Sequence, residues 1–353
     1  LIKAKPPEKR TGKKIAIIGS GPAGLAAGDQ LNKAGHKVAV FEKDDKIGGI
    51  LRYGIPDFKI DKKIIDRRLA IMKKEGIEFK VNTNVGVGDR HACPLQKEFD
   101  AVCLTGGSRV PRDLKIEGRD LKGIYFAMDY LAQSNIAISD CVGDRIGRMG
   151  FIDARGKIVL VIGGGDTGAD CVGTAHRQGA KSVIQIEVLP KPPECRASNE
   201  PWPKYPMVLK TSSSHEEGGE RRWAILTKKF IGEDDNVKKV LCVKGDFQKD
   251  EKSCPIMKEI PASEFEIEAD LVILAIGFVH PEHAGLLKDL GVEFDTLGNV
   301  KTDDNYMTSA RGVFSAWDMR RGQSLIVWAI ADGRRSAYCI DKFLMGQTSL
   351  PML

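Results

Sequence analysis

Residues 14–31 read KIAIIGSGPAGLAAGDQL, and this stretch decides the fold. The apolar run Ile15 to Ile18 predicts a strand buried on both faces, Gly19-Ser20-Gly21-Pro22-Ala23-Gly24 a tight turn, and Leu25 with Leu31 the inward face of a helix. A second strand, Val38 to Phe41, runs into the acid Glu42. A glycine-rich turn alone is a weak signal, but a strand before it, a helix after it and an acid closing the next strand are the context that dinucleotide binding requires. Gly19 permits the turn, Gly21 lets backbone approach a pyrophosphate, Gly24 lets helix pack on strand, and the helix N-terminus faces the phosphate charge. Glu42 is placed to accept ribose hydroxyls.

The same plan returns at 157–179, KIVLVIGGGDTGADCVGTAHRQG, with the turn Gly163-Gly164-Gly165-Asp166-Thr167-Gly168 and a later acid at Glu187. Each half also closes with an acid and an apolar strand running into glycine: Asp100 through Thr105 to Gly106 and Gly107 in the first, Asp270 to Gly277 in the second. Two dinucleotide folds in one α/β chain follow.

Bulk properties agree. The 353 residues suffice for two domains, 42% of them hydrophobic, and the longest apolar runs fall well short of the ~20 residues that span a bilayer. A net charge of +6, with 54 basic against 48 acidic residues, is no nucleic-acid signature. The eight cysteines are scattered without a CxxC pair, which predicts a reducing, cytoplasmic setting and no redox dithiol; no metal site is expected from them or from the six histidines. His215 lacks a nucleophile-elbow sequence to make it part of a triad, Trp202 and Trp223 are expected to pack, and the basic stretch Lys3 to Lys14 reads as a solvated linker.

Residues 42–60, EKDDKIGGILRYGIPDFKI, place Gly48-Gly49 after the first acid and then Tyr53-Gly-Ile-Pro56. This run resembles the FAD domain of the glutathione-reductase-like flavoproteins and, most closely, the glutamate synthase small (beta) subunit family. So do GNV with TSARGVFSAWDMRRGQSLIVWAIADGRRSA between Gly298 and Ala337, and the runs Asn199 to Pro203, Ser212 to Gly218 and Thr227 to Phe230. The resemblance implies two Rossmann-like domains, a nicotinamide domain (126–278) inserted into an FAD domain (1–125 and 279–353). It implies FAD contacts at Gly19, Gly21, Pro22, Ala23, Gly24, Glu42, Gly49, Leu51, Thr105, Gly106, Asp318, Gln323, Ser324 and Val327, with a helix starting near Gln323 aimed at the flavin ring. The coenzyme falls to Gly163, Gly165, Asp166, Thr167, Gly168, Glu187 and Arg196, its nicotinamide lying near Gly277 so that hydride passes to the flavin. No side chain is expected to act as a catalytic acid or base, because orientation and exclusion of water carry a hydride transfer.

The resemblance further implies a glutamate synthase large subunit as partner, which makes glutamate from glutamine and 2-oxoglutarate. No membrane or nucleic-acid partner is expected. The family's iron–sulfur domain has no counterpart ahead of Lys13, so the electron exit is open, and the alternatives are a stand-alone NAD(P)H oxidoreductase serving ferredoxin or a quinone-like acceptor, or a non-catalytic nucleotide-binding subunit. The coenzyme is also open: Glu187 suits the 2′-hydroxyl of NADH, whereas the family and Arg196 suit NADPH. Trp317 stands where the family has glycine before the flavin-binding Asp318, so its indole either crowds the flavin's polar chain or turns outward.

Overall fold

The structure, a computed structural model, describes residues 2–87, 93–140, 150–196, 208–249 and 255–352. The run 199–203 with Trp202, and likewise His91, Cys141 and Cys254, lie outside the described residues. The chain forms two compact units, one from the residues up to Arg112 together with Phe278 onward, the other Asp113–Gly277.

The first unit opens with strands Lys14–Ile18 (β1), Lys37–Phe41 (β2), Glu78–Lys80 (β3) and Ala101–Leu104 (β4). The second holds Ile124–Phe126 (β5), Ile158–Ile162 (β6), Ser182–Glu187 (β7), Glu220–Trp223 (β8), Ile225–Glu233 (β9), Asn236–Lys249 (β10), Pro255–Glu268 (β11) and Leu271–Leu274 (β12); the chain then returns to the first unit for Val313–Ser315 (β13). Three helices matter for the site: Pro22–Lys33 (α1), Asp166–Arg177 (α2) and Ile326–Met345 (α3).

Each unit is built on a five-stranded parallel sheet, in the order β13-β4-β1-β2-β3 in the first and β5-β12-β6-β7-β8 in the second. Alternation along the strands feeds two layers of core: Ile15 and Ile17 point into one cluster and Ala16 and Ile18 into another. Leu160 with Ile162, and Val159 with Val161, divide in the same way in the second unit. An antiparallel ribbon, β11-β10-β9, closes one face of the second sheet with Phe230, Val240 and Ile267.

The duplication extends to individual hydrogen bonds. Gly19 N–H donates to Phe41 O and Gly163 N–H to Ile186 O, both at 2.8 Å. Thr105 N–H reaches Ile18 O at 2.8 Å, and Ala275 N–H reaches Ile162 O at 2.7 Å. The two closing acids have one job each: Asp100 accepts the Lys14 N–H at 2.8 Å and Asp270 the Ile158 N–H at 3.0 Å, so each capping carboxylate satisfies the first donor of the neighbouring strand.

The compact units divide the chain at points other than the expected boundaries. The first boundary falls at Arg112/Asp113 instead of 125/126, because Leu114, Ile116, Leu121 and Ile124 pack into the core of the second unit. The second falls at Gly277/Phe278, one residue earlier than expected, since Phe278 bridges to Pro111. The basic N-terminal stretch is exposed along most of its length, as expected, but it is tied down at two points. Arg10 donates to Asn32 Oδ1 (2.8 Å), His36 O (2.7 Å) and Glu75 O (3.0 Å), while Lys5 N–H donates to Glu75 (3.0 Å). Thr11 meets the fully buried His36 ring, which in turn contacts Asp341 at 2.8 Å. The guanidinium supplies a donor to His36 O and a second one, beside the Asn32 amide, to Glu75 O, which ties this end of the charged run to the protein.

Candidate functional site: two glycine cradles

In the first unit the turn after β1 is held by steric necessity. A Cβ on Gly19 would lie 2.5 Å from Thr105 O, and one on Gly24 would lie 2.1 Å from Gly19 O. Gly21 has nothing within 4 Å of where a Cβ would be, so the backbone there faces open space. Pro22 occupies the first helical position and Gly21 caps α1 without a side-chain bond, leaving the first-turn N–H groups Ala23 and Gly24 for a ligand. The Thr105 hydroxyl donates to Gly19 O at 2.9 Å and Gly106 N–H contacts Met319 Sδ at 2.8 Å, fixing the floor of the cradle.

Glu42 is buried, and both of its oxygens are engaged. Ser20 N–H donates to one at 3.1 Å together with the Ser20 hydroxyl, and Asp44 N–H to the other at 3.0 Å. Gly49 comes so close that its Cβ would stand 3.0 Å from Gly21 Cα, and Gly48 N–H donates to the Ser20 hydroxyl at 2.9 Å. The Gly48-Gly49 segment therefore lies over the turn. Leu51, just beyond it, is half-buried against the core.

Asp318 lies beside the same cradle, between Trp317, which packs on Ala23, and Met319, which meets Gly106. Burial pushes its carboxyl up to about 7, against hydrogen bonds from the Trp317 indole and the backbone N–H groups of Ser324 and Ser108. Its Oδ1 is buried with no hydrogen-bond partner. Trp317 is buried too, packed on Ala23 and Ala329, with Arg321 5.2 Å from its ring centre and its backbone N–H donated to Asp332 at 2.9 Å. The outward arrangement is thereby excluded. The backbone of Trp317 has φ +57 and ψ −127, a region that suits glycine, and Gly49 adopts nearly the same pair (φ +52, ψ −127).

The expected helix near Gln323 begins later. A short turn of helix ends at Gly322 (φ +80), Leu325 is extended, and α3 starts at Ile326. Gln323, Ser324 and Val327 are exposed beside that start, with the Gln323 amide donating to Phe278 O at 3.1 Å. In the first turn of α3 only Ala329 is buried, and Ile330 is 42% exposed.

The second cradle repeats the first. A Cβ on Gly163 would lie 2.3 Å from Ala275 O, and one on Gly168 would lie 2.2 Å from Gly163 O, while Gly165 is open. Asp166 and Thr167 form the first turn of α2. Glu187 accepts from Gly164 N–H at 2.6 Å and Leu189 N–H at 3.0 Å, with no counterpart of Ser20 because that position is Gly164. Arg196 is exposed and Gly277 is a positive-φ glycine at the end of the unit.

Sequence reasoning missed the polar chain behind this turn. Gln185, buried within β7, donates to Gly163 O at 2.8 Å and accepts from His215 Nε2 at 2.9 Å, and His215 Nδ1 accepts the Ser212 N–H at 3.2 Å. A polar residue inside an apolar strand was the readable signal. His215 is thus a brace for the turn and not a nucleophile's base. Among the described residues no group of three or more His, Cys, Asp or Glu is placed to hold a metal ion, and no helix is long and apolar enough to cross a membrane.

Residues 13–333 match the family model of pyridine nucleotide-disulphide oxidoreductases. Over 99% of its length the chain is 52% identical to a glutamate synthase [NADPH] small chain from Mycobacterium tuberculosis, covering 70% of that protein. The chain belongs to the glutamate synthase small-chain family of these oxidoreductases. A glutamate synthase [NADH] of Schizosaccharomyces pombe is 48% identical over 99% of this small-chain family member, which covers 17% of that longer protein. Mycobacterium tuberculosis FprA in complex with NADPH shares the fold at a TM-score of 0.73 and 18% identity, with 96% of this chain and 87% of that one covered.

The Asp318 carboxyl gives this small-chain family member a pH signature. Its ordinary pKa is 3.8 and its folded one about 7, so the neutral form is favoured by folding. Its contribution to stability is fully present below about pH 4 and is lost as pH rises through about 7, on the order of 4 kcal/mol at 1.36 kcal/mol per pH unit. Urea midpoints of flavin-free protein at about pH 5 and about pH 8 should differ in that sense, and Asp318→Asn should remove most of the difference. An Asn variant with the parent's pH dependence would assign the effect to other groups.

Proposed function

We infer that this chain is the flavin-reducing small subunit of glutamate synthase, taking hydride from a nicotinamide coenzyme onto FAD and supplying electrons for making glutamate from glutamine and 2-oxoglutarate. The observation that carries this is the pair of matched glycine cradles in a chain that aligns over nearly its whole length with glutamate synthase small chains. When bound, FAD supplies the hydride acceptor and the means of passing electrons onward.

The residues of the first unit suit FAD. Gly21 leaves room for a pyrophosphate against the α1 N-terminus, Glu42 closes the strand beside that turn with its oxygens accepting from Ser20 and Asp44, where a ribose would add further donors, and the orphan Asp318 Oδ1 offers a buried polar contact that a ribityl hydroxyl or phosphate satisfies. Gly49, Leu51, Thr105, Gly106, Gln323, Ser324 and Val327 complete that site. The second unit takes the coenzyme through Gly163, Gly165, Asp166, Thr167, Gly168, Glu187 and Arg196, with Gly277 near the nicotinamide. These side chains bind, orient and exclude water; none moves a proton. The partner is the glutamate synthase large subunit, and the compartment is the cytoplasm.

Anaerobic mixing tests the reading. Protein extracted for cofactor should release about one FAD per chain, and NADPH should bleach its visible absorbance faster than NADH at matched concentration. FMN in the extract, or a flavin that neither coenzyme bleaches, defeats the proposal; a rate advantage for NADH reverses the coenzyme choice.

A further inference from the structure

The coenzyme choice has a second determinant beside Glu187. In the parallel ladder of β7 and β8, Glu187 is the register partner of Trp223, so the two side chains leave the same face at the same end of the sheet. The loop after β7 is pinned to the end of β8, since Ala224 N–H donates to Leu189 O at 3.0 Å. Two cations rest against the Trp223 ring: Arg221 Cζ lies 5.0 Å and Lys191 Nζ 5.6 Å from its centre. Arg221 is oriented by a bond from its guanidinium to Lys210 O at 3.0 Å.

What sets this pair apart is its charge balance. Arg222, next in sequence, is neutralised by two bonds of 2.7 Å to Glu220. Among the described residues no ion pair joins Arg221 or Lys191 to a carboxylate. The Glu187 oxygens are meanwhile turned to Gly164 N–H and Leu189 N–H, so its charge is spread into the cradle and not onto these cations. An aromatic face with two unneutralised cations, beside the acid that closes the second strand, is matched to a flat base carrying an extra phosphate.

Resting on the assignment of the second unit to the nicotinamide coenzyme, we propose that Trp223, Arg221 and Lys191 form the subsite for the adenosine 2′-phosphate end of NADPH, and that this subsite sets the preference over NADH. Arg221 contributes directional hydrogen bonds to the phosphate, Lys191 a second charge, and Trp223 the surface that holds both in place and faces the base.

Calorimetric titration of the flavin-loaded protein with adenosine 2′,5′-bisphosphate, adenosine 5′-monophosphate and inorganic phosphate tests it. The bisphosphate should bind tightest, and Arg221→Gln should weaken it about tenfold, the size expected for one charge-assisted hydrogen bond, with the monophosphate little changed. Lys191→Gln should give a smaller loss of the same kind, and Arg221→Lys should recover part of the Arg221 loss. Lys191 is exposed and Arg221 half-buried, and a matching melt for each variant verifies that folding is kept. Equal losses for both nucleotides, unaltered discrimination in both glutamine variants, or inorganic phosphate competing as well as the bisphosphate would overturn the subsite. If neither coenzyme bleaches the wild-type flavin while the bisphosphate still discriminates, the proposed function fails and the subsite stands.

Discussion

Gly24→Ala should give a protein without flavin, and Gly168→Ala a protein that stays yellow but is no longer bleached by NADPH. The added methyl at Gly24 would stand 2.1 Å from Gly19 O and 2.6 Å from the Thr105 hydroxyl; at Gly168 it would stand 2.2 Å from Gly163 O and 2.7 Å from the Gln185 amide. Backbone oxygens on a turn braced from behind have no cheap way to yield. Overpacking of this severity costs ~3 kcal/mol or more, at least about a hundredfold in affinity once the cradle is distorted. The measurements are FAD per chain after reconstitution and the anaerobic bleaching rate. Because the two cradles are equivalent in geometry, this pair of variants assigns each nucleotide to its unit. Flavin lost from both variants, or retained by Gly24→Ala, would refute the assignment.

Trp317→Gly should act in opposite directions on the empty and the loaded protein. Holding a bulky residue at φ +57 and ψ −127 costs ~1–3 kcal/mol, which glycine does not incur. Deleting a buried indole costs ~3–5 kcal/mol. Flavin-free Trp317→Gly is therefore expected to lose ~1–3 kcal/mol in a urea unfolding curve. The indole also lies on Ala23, in the first turn of α1, where the diphosphate is proposed to sit. Relief of crowding there should tighten FAD by roughly 5- to 150-fold, read by titrating flavin-free protein in a calorimeter. Tighter binding by the tryptophan form would mean that the ring supports the cofactor and that the steric argument is wrong.

The turns, the order of strands around them and the closing acids were legible because each is a local device: a glycine whose Cβ has nowhere to go, an apolar run of strand length, an acid beside it. What was not legible depends on residues far apart in the chain. Ser20 looks like turn filler until Glu42 is seen folded back onto it. Gln185 and His215, separated by thirty positions, become one brace only when β7 and the following short helix are side by side. Arg10 reads as part of a solvated charge run because nothing nearby announces the carbonyls of His36 and Glu75 that it meets. The start of α3 was placed too early for a smaller reason, the break at Gly322, which a helical pattern of apolar residues does not register.

The Arg10 clasp also turns the N-terminal segment into a reporter. Trypsin needs an arginine side chain drawn out into its own specificity pocket, and this one is engaged with Asn32, His36 and Glu75. Cleavage after Arg10 thus waits for the segment to lift away, and the rate at which that single bond is cut counts how often the first unit opens at its edge. Ligands seated in that unit should slow the cut without touching the residues around it, which makes a protease a gauge of occupancy that does not depend on flavin absorbance.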